Sequence, residues 1–160
     1  MIKITISGIQ QVETALDKMS KVNTLVTSWM KSGEPDTIVN KSVGKNFDKE
    51  GRPSWELLAD DTIIDRVNKG FSAGKILSRT GNLKDEVSTI RGDVSSSPTQ
   101  STMIWGIDKL RAKEKIKFRA HQLGRGKSGQ DLPARPMLGF QKEDGKTLTN
   151  SLRNWILKSF

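Results

Sequence analysis

Three aspartates, Asp60, Asp61 and Asp65, form the densest group of side chains in this sequence that could do chemistry. Clustered carboxylates can bind a divalent cation or transfer a proton. These acids also stand where a helix is predicted to begin, and carboxylates there are stabilised by the helix dipole without any ligand. We therefore interpret them as a solvated helix start and predict neither a metal nor a cofactor. A metal-dependent nuclease that uses these acids is kept as an alternative.

The sequence offers few residues for thiol or imidazole chemistry. The sequence contains no cysteine and a single histidine, His121, so disulfides, thiolate ligands and a histidine-rich zinc site are not expected. No sequence feature supplies His121 with an orienting acid or a nucleophile, and Ser54 and Ser78 lie in no recognisable motif. We predict that His121 packs or forms hydrogen bonds, and that the protein is not an enzyme.

Residues 109–127 form the most unusual segment, with eight basic residues and one acid. Between 109 and 119 the charges fall on odd positions, and most even positions are apolar. Side chains alternate between two faces along a strand, whereas a helix would spread these charges all round and bury some at a cost. The pattern predicts an extended ribbon with one cationic face. That face could contact DNA phosphates or the acidic surface of a neighbouring subunit.

The chain as a whole is basic, with 27 lysines and arginines against 18 acids, a formal net charge of +9 over 160 residues. Such a surplus favours anionic partners, either DNA or an acidic protein surface. The length suits one domain that covers residues 1–160. Neither a long uncharged apolar run nor a signal-peptide pattern is present, so we expect no membrane contact and assembly in the cytoplasm.

Apolar periodicity predicts the secondary structure, with period two for strands and three to four for helices. The predicted elements are a strand at 2–6, a helix of about three to five turns from 9 to 33, a helix from 34 that breaks at 51–53, a loop and short helix at 54–69, a hairpin at 83–107 with its turn at 95–98, a glycine-rich loop at 124–130, an extended segment at 132–136 and a helix at 146–160. They predict an α+β fold, in which a small antiparallel sheet packs against a long N-terminal helix and a C-terminal helix.

The tryptophans are predicted to anchor this fold, because large aromatic side chains dominate cores and interfaces. Trp29 and Trp155 lie on the apolar stripes of predicted helices, so we expect both in the core. Trp55 follows a Gly-Arg-Pro break and is expected to fix a loop onto the core.

Five short motifs occur in a fixed order between residues 46 and 140. They are Asn46-Phe47 with Glu50-Gly51-Arg52-Pro53-Ser54-Trp55, then Ile76-Leu77 with Thr80-Gly81-Asn82-Leu83, then Ile104-Trp105-Gly106, then Arg119-Ala120-His121-Gln122-Leu123-Gly124, and last Leu132-Pro133-Ala134-Arg135-Pro136-Met137-Leu138-Gly139. This order resembles the phage virion morphogenesis family, the tail-completion proteins of Mu-like and related contractile-tailed phages. Met137 stands where that family usually has phenylalanine, and residues 109–119 are richer in charge than usual.

The resemblance implies a structural subunit at the head-proximal end of the tail or in the neck. Related proteins form rings, commonly hexamers, through which DNA passes. The expected partners are other copies of this chain, tail tube or sheath proteins, head connector proteins and, without sequence specificity, the DNA in the channel. The expected location is the virion. A basic module that contacts DNA phosphates by itself is the alternative function.

Candidate interface or DNA-facing residues come from the basic segment and from the last two motifs. They are Lys113, Lys115, Lys117, Arg119, His121, Gln122, Arg125, Lys127, Pro133, Arg135 and Pro136. Arg135 carries a planar fork of donors that suits a bidentate carboxylate contact. The sequence leaves open whether these residues contact protein or phosphate.

Overall fold

A computed structural model describes residues 9–125 and 132–159. The strand predicted at 2–6 and part of the loop predicted at 124–130 lie outside these residues. The described elements are, in chain order, α1 (Ile9–Lys31), α2 (Glu34–Asp48), α3 (Asp60–Asn68), α4 (Asn82–Val87), β1 (Gly92–Ser96), β2 (Ser101–Trp105), α5 (Ala112–Leu123) and α6 (Lys142–Lys158). This mixture of helices and one antiparallel sheet confirms the predicted α+β class.

Helix α1 has 23 residues, which is longer than the predicted three to five turns. Its C-terminal half packs against the body of the protein, where Trp29 is buried and its indole Nε1 donates a hydrogen bond to Ser151 Oγ at 2.8 Å. Its N-terminal half carries the apolar side chains of Leu16 and Met19 in solvent. Within the described residues, the stripe is therefore buried toward Trp29 and exposed at Leu16 and Met19.

Helix α2 forms the centre of the fold, with α1, α4 and α6 packed around it. It begins as predicted with Pro35 in its first turn, where the missing N–H is not needed. Val39, Val43 and Phe47 recur every four residues on one buried face, as an amphipathic helix requires.

One contiguous apolar cluster gathers buried side chains from α2, α4, α5 and the segments that connect the elements. Its buried members are Val39, Val43, Phe47, Trp55, Ile76, Leu83, Val87, Ile90, Leu110, Phe118 and Met137. The rings of Phe47 and Trp55 meet edge to face at 5.7 Å between centroids, a favoured aromatic arrangement. The expectation that Trp55 fixes its loop onto the core is thus confirmed, whereas Trp155 is only partly buried.

The strand predicted at 83–91 is wrong, because residues 82–87 form helix α4. Leu83, Val87 and Ile90 are the buried side chains of this stretch, and their spacing fits one face of a helix. Leu83 and Val87 also fit the alternation that suggested a strand, whereas Ile90 does not. The backbone N–H of Asp85 donates to the carbonyl of Gly81 at 3.0 Å and so closes the first turn.

The hairpin is shorter than predicted and begins later in the chain. Strand β1 pairs antiparallel with β2, with Val94 opposite Met103, and the predicted strand face at Met103 and Trp105 is confirmed. Asp36 of α2 fixes the hairpin's position, since its Oδ1 accepts hydrogen bonds from Gly92 N at 2.9 Å and Trp105 Nε1 at 2.7 Å. The sheet also packs against α1, as the fold prediction required.

The extended ribbon predicted at 109–127 is also wrong, because residues 112–123 form helix α5. Glu114 and Phe118 lie one turn apart on its buried face. The lysine and arginine side chains flank that face and do not enter it. Lys113 and Lys117 lie on one side of it, and Lys115 and Arg119 on the other. Lys117 Nζ donates to both oxygens of Glu114, at 2.8 and 3.0 Å, which offsets the burial of that acid. Long basic side chains can cover apolar surface while their charged ends stay in water, a possibility that the ribbon prediction overlooked.

Gly51 is expected to tolerate no side chain. Its φ is +104°, and an added Cβ would stand 2.5 Å from Pro53 O and 2.6 Å from Trp55 Cδ1. Backbone strain and overpacking together predict that Gly51→Ala lowers the free energy of unfolding by about 3 kcal/mol, measured by urea denaturation. Gly44 is the matched control, because open space surrounds it within helix α2. Gly44→Ala is expected to raise stability by roughly 0.5–1 kcal/mol, and equal effects of the two changes would contradict the packing described.

Candidate functional site

The last motif of the sequence is held by side chains from two helices. Gln122 of α5 accepts hydrogen bonds at its Oε1 from the backbone N–H groups of Met137, at 2.8 Å, and Leu138, at 3.1 Å. Asn46 of α2 donates from Nδ2 to the carbonyls of Met137, at 2.8 Å, and Gly139, at 3.1 Å. An irregular segment can be buried only if its backbone groups find such partners. Met137 can therefore place its side chain, which is fully buried, in the core.

Arg52 extends this network from the first motif to the beginning of α6. Its Nε donates to Asn46 Oδ1 at 2.7 Å, and its Nη2 donates to the Ser42 carbonyl at 2.9 Å and to Asp144 Oδ2 at 2.9 Å. Asp144 also accepts the backbone N–H of Gln141 at 3.1 Å, which completes a capping box at the start of α6. Burial raises the pKa of Asp144, but the hydrogen bonds from Ser42, Gln141 and Arg52 outweigh it and leave the pKa below its ordinary value.

Arg135 belongs to the same framework rather than to an exposed surface. Its side chain is only 5% exposed, and Nε and Nη2 donate to the backbone carbonyls of Glu56 and Leu57 at 3.0–3.2 Å. Its backbone N–H donates to the carbonyl of His121 at 2.7 Å. The fork of donors that suggested a bidentate carboxylate contact is thus occupied by main-chain oxygens. Trp55 Nε1 donates to the neighbouring Pro136 carbonyl at 3.3 Å.

A cleft of about 540 Å³ opens beside this framework. Its walls come from the segment between α2 and α3, from α3, from the segment around residues 77–83, from α5 and from residues 132–135. The apolar lining consists of Leu57, Leu58, Ala59, Leu77, Leu83, Leu132 and Pro133. Leu57 is 78% exposed at the rim, so the cleft presents an apolar surface to solvent.

Positive charge dominates the polar lining of this cleft. Its cationic members are Arg66, Arg79, Lys117 and Arg135, against the acids Glu56 and Asp65. Asp65 is paired with Lys69 at 2.6 Å, whereas within the described residues none of the three arginines forms an ion pair with a carboxylate. Burial and then the charge of Arg79 lower the pKa of Arg66, and burial is likewise the main cause that lowers the pKa of Arg135. The nearby Glu56 carboxylate acts in the opposite direction and raises the pKa of Arg135, while the charge of Arg66 lowers it.

His121 faces the same cleft from α5. Its Nδ1 atom is buried and has no hydrogen-bond partner among the described residues. Burial, followed by the charges of Arg135 and Lys117, lowers its pKa, so the ring is neutral at pH 7. No described acid orients this ring, and the packing or hydrogen-bonding role of His121 stays a prediction.

The cleft gathers only some of the residues singled out in the sequence. It is lined by Lys117, His121, Pro133 and Arg135. Gln122 does not line it but holds the backbone of Met137 and Leu138. The cleft is not lined by partly buried Lys115 or by the exposed residues Lys113, Arg119, Arg125 and Pro136. Lys127 lies outside the described residues. Arg66 and Arg79 were missed by the sequence analysis. The only signal for Arg79 was its position immediately before the Thr80-Gly81 motif.

The three acids kept as a metal-site alternative all lie on helix α3, where Asp65 also lines the cleft. Asp60 and Asp61 occupy the exposed first turn of α3, which confirms the interpretation as a helix start. Within residues 9–125 and 132–159, no three acidic, histidine or cysteine side chains are grouped so that they could hold a metal ion. The helices in these two ranges also include none with the length and apolar character needed to cross a membrane.

The fold and this framework define a small α+β protein whose motif residues mainly support its own backbone. A model of the phage virion morphogenesis family matches residues 8–157, and the chain therefore belongs to that family. Membership supports a structural or assembly role in the phage particle and association with the virion. No curated protein and no solved structure matches the chain.

Removing Asn46 is expected to destabilise the whole protein. Asn46→Ala would leave two carbonyls and the Arg52 guanidinium without their buried partner, at a cost of about 2–4 kcal/mol in the free energy of unfolding. Asn154→Ala, on the exposed face of α6, should change it by less than about 0.5 kcal/mol. Urea denaturation of both variants tests this, and equal small losses would show that the network contributes little.

His121 is expected to make stability depend on pH in mildly acidic solution. Because its folded pKa lies below its ordinary value of about 6.5, the unfolded chain takes up a proton first as the pH falls. The contribution of His121 to stability is therefore fully present above its ordinary pKa and is lost as the pH falls from there toward the lower pKa of the folded state. Denaturation at about pH 7.5 and about pH 5.5 should show a larger loss for the wild type than for His121→Gln. Identical losses would contradict the assignment.

Proposed function

We propose that this protein is a tail-completion or tail-terminator subunit, or a neck subunit, that joins tail to head as part of a ring. Family membership supports the assembly role. The observation that carries the proposal is the use of the motif residues: Asn46, Arg52, Gln122 and Arg135 spend their polar groups on the chain's own backbone and side chains. Such residues build a rigid body, and the recognition surface is then left to the cleft and the exposed helix faces.

The proposed partners are other copies of this chain together with tail tube, sheath or head connector proteins. A rigid subunit with one cationic cleft and exposed apolar side chains is suited to protein contacts, because apolar patches of this kind mark interaction surfaces. DNA in the channel would meet only nonspecific positive charge.

The alternative function, a basic module that binds DNA by itself, has lost its main argument. That argument needed one continuous cationic ribbon, and α5 instead distributes its lysines and arginines on both sides of its buried face. The net charge of +9 remains its support. It predicts strong binding of duplex DNA by the isolated protein with a steep salt dependence, and this dependence would disappear after neutralisation of Lys113, Lys115 and Lys117.

The proposal is tested with a phage that lacks this gene. Infected cells should accumulate heads and tails that do not join, and infectious particles should return when the wild-type protein is supplied from a plasmid. The Asn154→Ala protein, changed at an exposed position, serves as the matched positive control. Electron microscopy of the lysate and plaque counts give the readout. Normal, infectious virions in the absence of the protein would overturn the proposal.

A further inference from the structure

Helix α1 carries apolar side chains that no other part of residues 9–125 and 132–159 covers. Leu16 is 59% exposed and Met19 is 70% exposed, although both continue the stripe that leads to buried Trp29. Glu13 and Asp17 are exposed beside Leu16, one turn apart from each other, and Asp17 forms an exposed ion pair with Lys21 at 2.6 Å. The N-terminal half of α1 therefore presents a convex ridge with apolar side chains, the carboxylate of Glu13 and the exposed Asp17–Lys21 pair.

The cationic cleft has the complementary properties. It is concave and lined by leucines, and its arginines form no ion pair with a described carboxylate. Arg79 is exposed at this site, with its guanidinium 4.9 Å from the Phe71 ring centre, and can reach an incoming acid. The residues that line the cleft include none from α1, so ridge and cleft are separate surfaces of one chain.

We propose that the ridge of α1 on one copy occupies the cationic cleft of the next copy, with Leu16 against the leucines and with Glu13 and Asp17 facing the exposed Arg79. Asp17 would exchange its exposed pair with Lys21 for this contact, at little cost because exposed ion pairs are weak. The contact joins two different surfaces, so it is heterologous and generates a ring where the rotation closes. The inference rests on the proposed function as a ring subunit and names the surfaces that build the ring.

A second copy fits the observations better than DNA or an unrelated acidic protein. DNA phosphates would neutralise the arginines but would leave Leu16, Met19 and Leu57 in water. An unrelated protein could fill the cleft but would leave the ridge unexplained. One contact between copies covers both apolar surfaces and brings the exposed acids of the ridge to exposed Arg79, and complementary charge also fixes the register of such a contact.

Cysteine cross-linking tests the contact directly, because the natural chain has no cysteine. Leu16→Cys and Leu57→Cys are introduced together and treated with a short bismaleimide, both in the purified protein and in assembled tails. The double variant should form a ladder of covalent oligomers that ends in a closed species. Leu16→Cys combined with Ile104→Cys, an exposed position on β2, is the matched control and should not form the ladder.

Mixing the two single variants separates a heterologous contact from a symmetric one. Leu16→Cys alone and Leu57→Cys alone should stay monomeric on denaturing gels, and their mixture should give covalent dimers only. Homodimers of Leu16→Cys alone would show that ridge pairs with ridge, which would overturn the inference. Absence of cross-links above the control pair, in solution and in tails, would overturn it as well.

Charge reversal gives a second and independent readout. Like charges placed opposite each other strongly disfavour a contact, so Arg79→Glu should lower the cross-linked yield by at least about tenfold. Adding Glu13→Lys and Asp17→Lys to the same chain should restore much of it. If the cross-linked yield does not recover although circular dichroism shows that the variant is folded, the pairing of these charges would be contradicted.

Native mass spectrometry of the wild type separates failure of this inference from failure of the proposed function. Rings of the wild type without cross-links in the double variant would mean that the ring uses other surfaces, and the proposed function would stand. If the wild type stays monomeric both alone and with tails, the proposed function as a ring subunit would be contradicted, and so would this contact.

Discussion

The fold depends on one buried arrangement, the hydrogen bonds that Asn46 and Gln122 make with the backbone of residues 137–139. This irregular segment passes through the core without a strand partner, and its N–H and carbonyl groups would otherwise be buried unpaired. Asn46 is 1% exposed and contacts Arg52 as well, which in turn reaches α6 through Asp144. Three helices and two loops are thereby connected through polar groups that tolerate little displacement.

This arrangement explains why motifs far apart in the sequence belong together. The first motif supplies Asn46, Arg52 and Trp55, the fourth supplies Gln122, and the last supplies the backbone that they hold. Their residue types look like those of a reactive site, since amides, arginines and a histidine are all present. Satisfied hydrogen bonds give the amides of Asn46 and Gln122 and the guanidinium groups of Arg52 and Arg135 a structural role instead.

The helices could be predicted from the sequence because their apolar periods are long, as in α1, α2 and α6. Residues 83–91 and 109–119 were mispredicted because apolar residues at every second position also satisfy a helix when only some of them are buried. In α5 the side chains of Lys113 and Arg119 are exposed to solvent although Phe118, on the same helix, is buried. Counting alternate positions in the sequence does not predict this exposure. The cleft could be predicted only in part, because Arg66 and Arg79 reach it through tertiary packing and carry no motif of their own.

Native-state hydrogen exchange of the backbone amides of Met137 and Leu138 tests the central role of this arrangement most directly. If Gln122 and Asn46 hold a segment on which the fold depends, both amides should exchange only through global unfolding, as slowly as the amides in the middle of α2. Exchange at the rate of an exposed loop, while α2 stays protected, would show that the segment opens independently. The account of a rigid assembly subunit held by these contacts would then be contradicted.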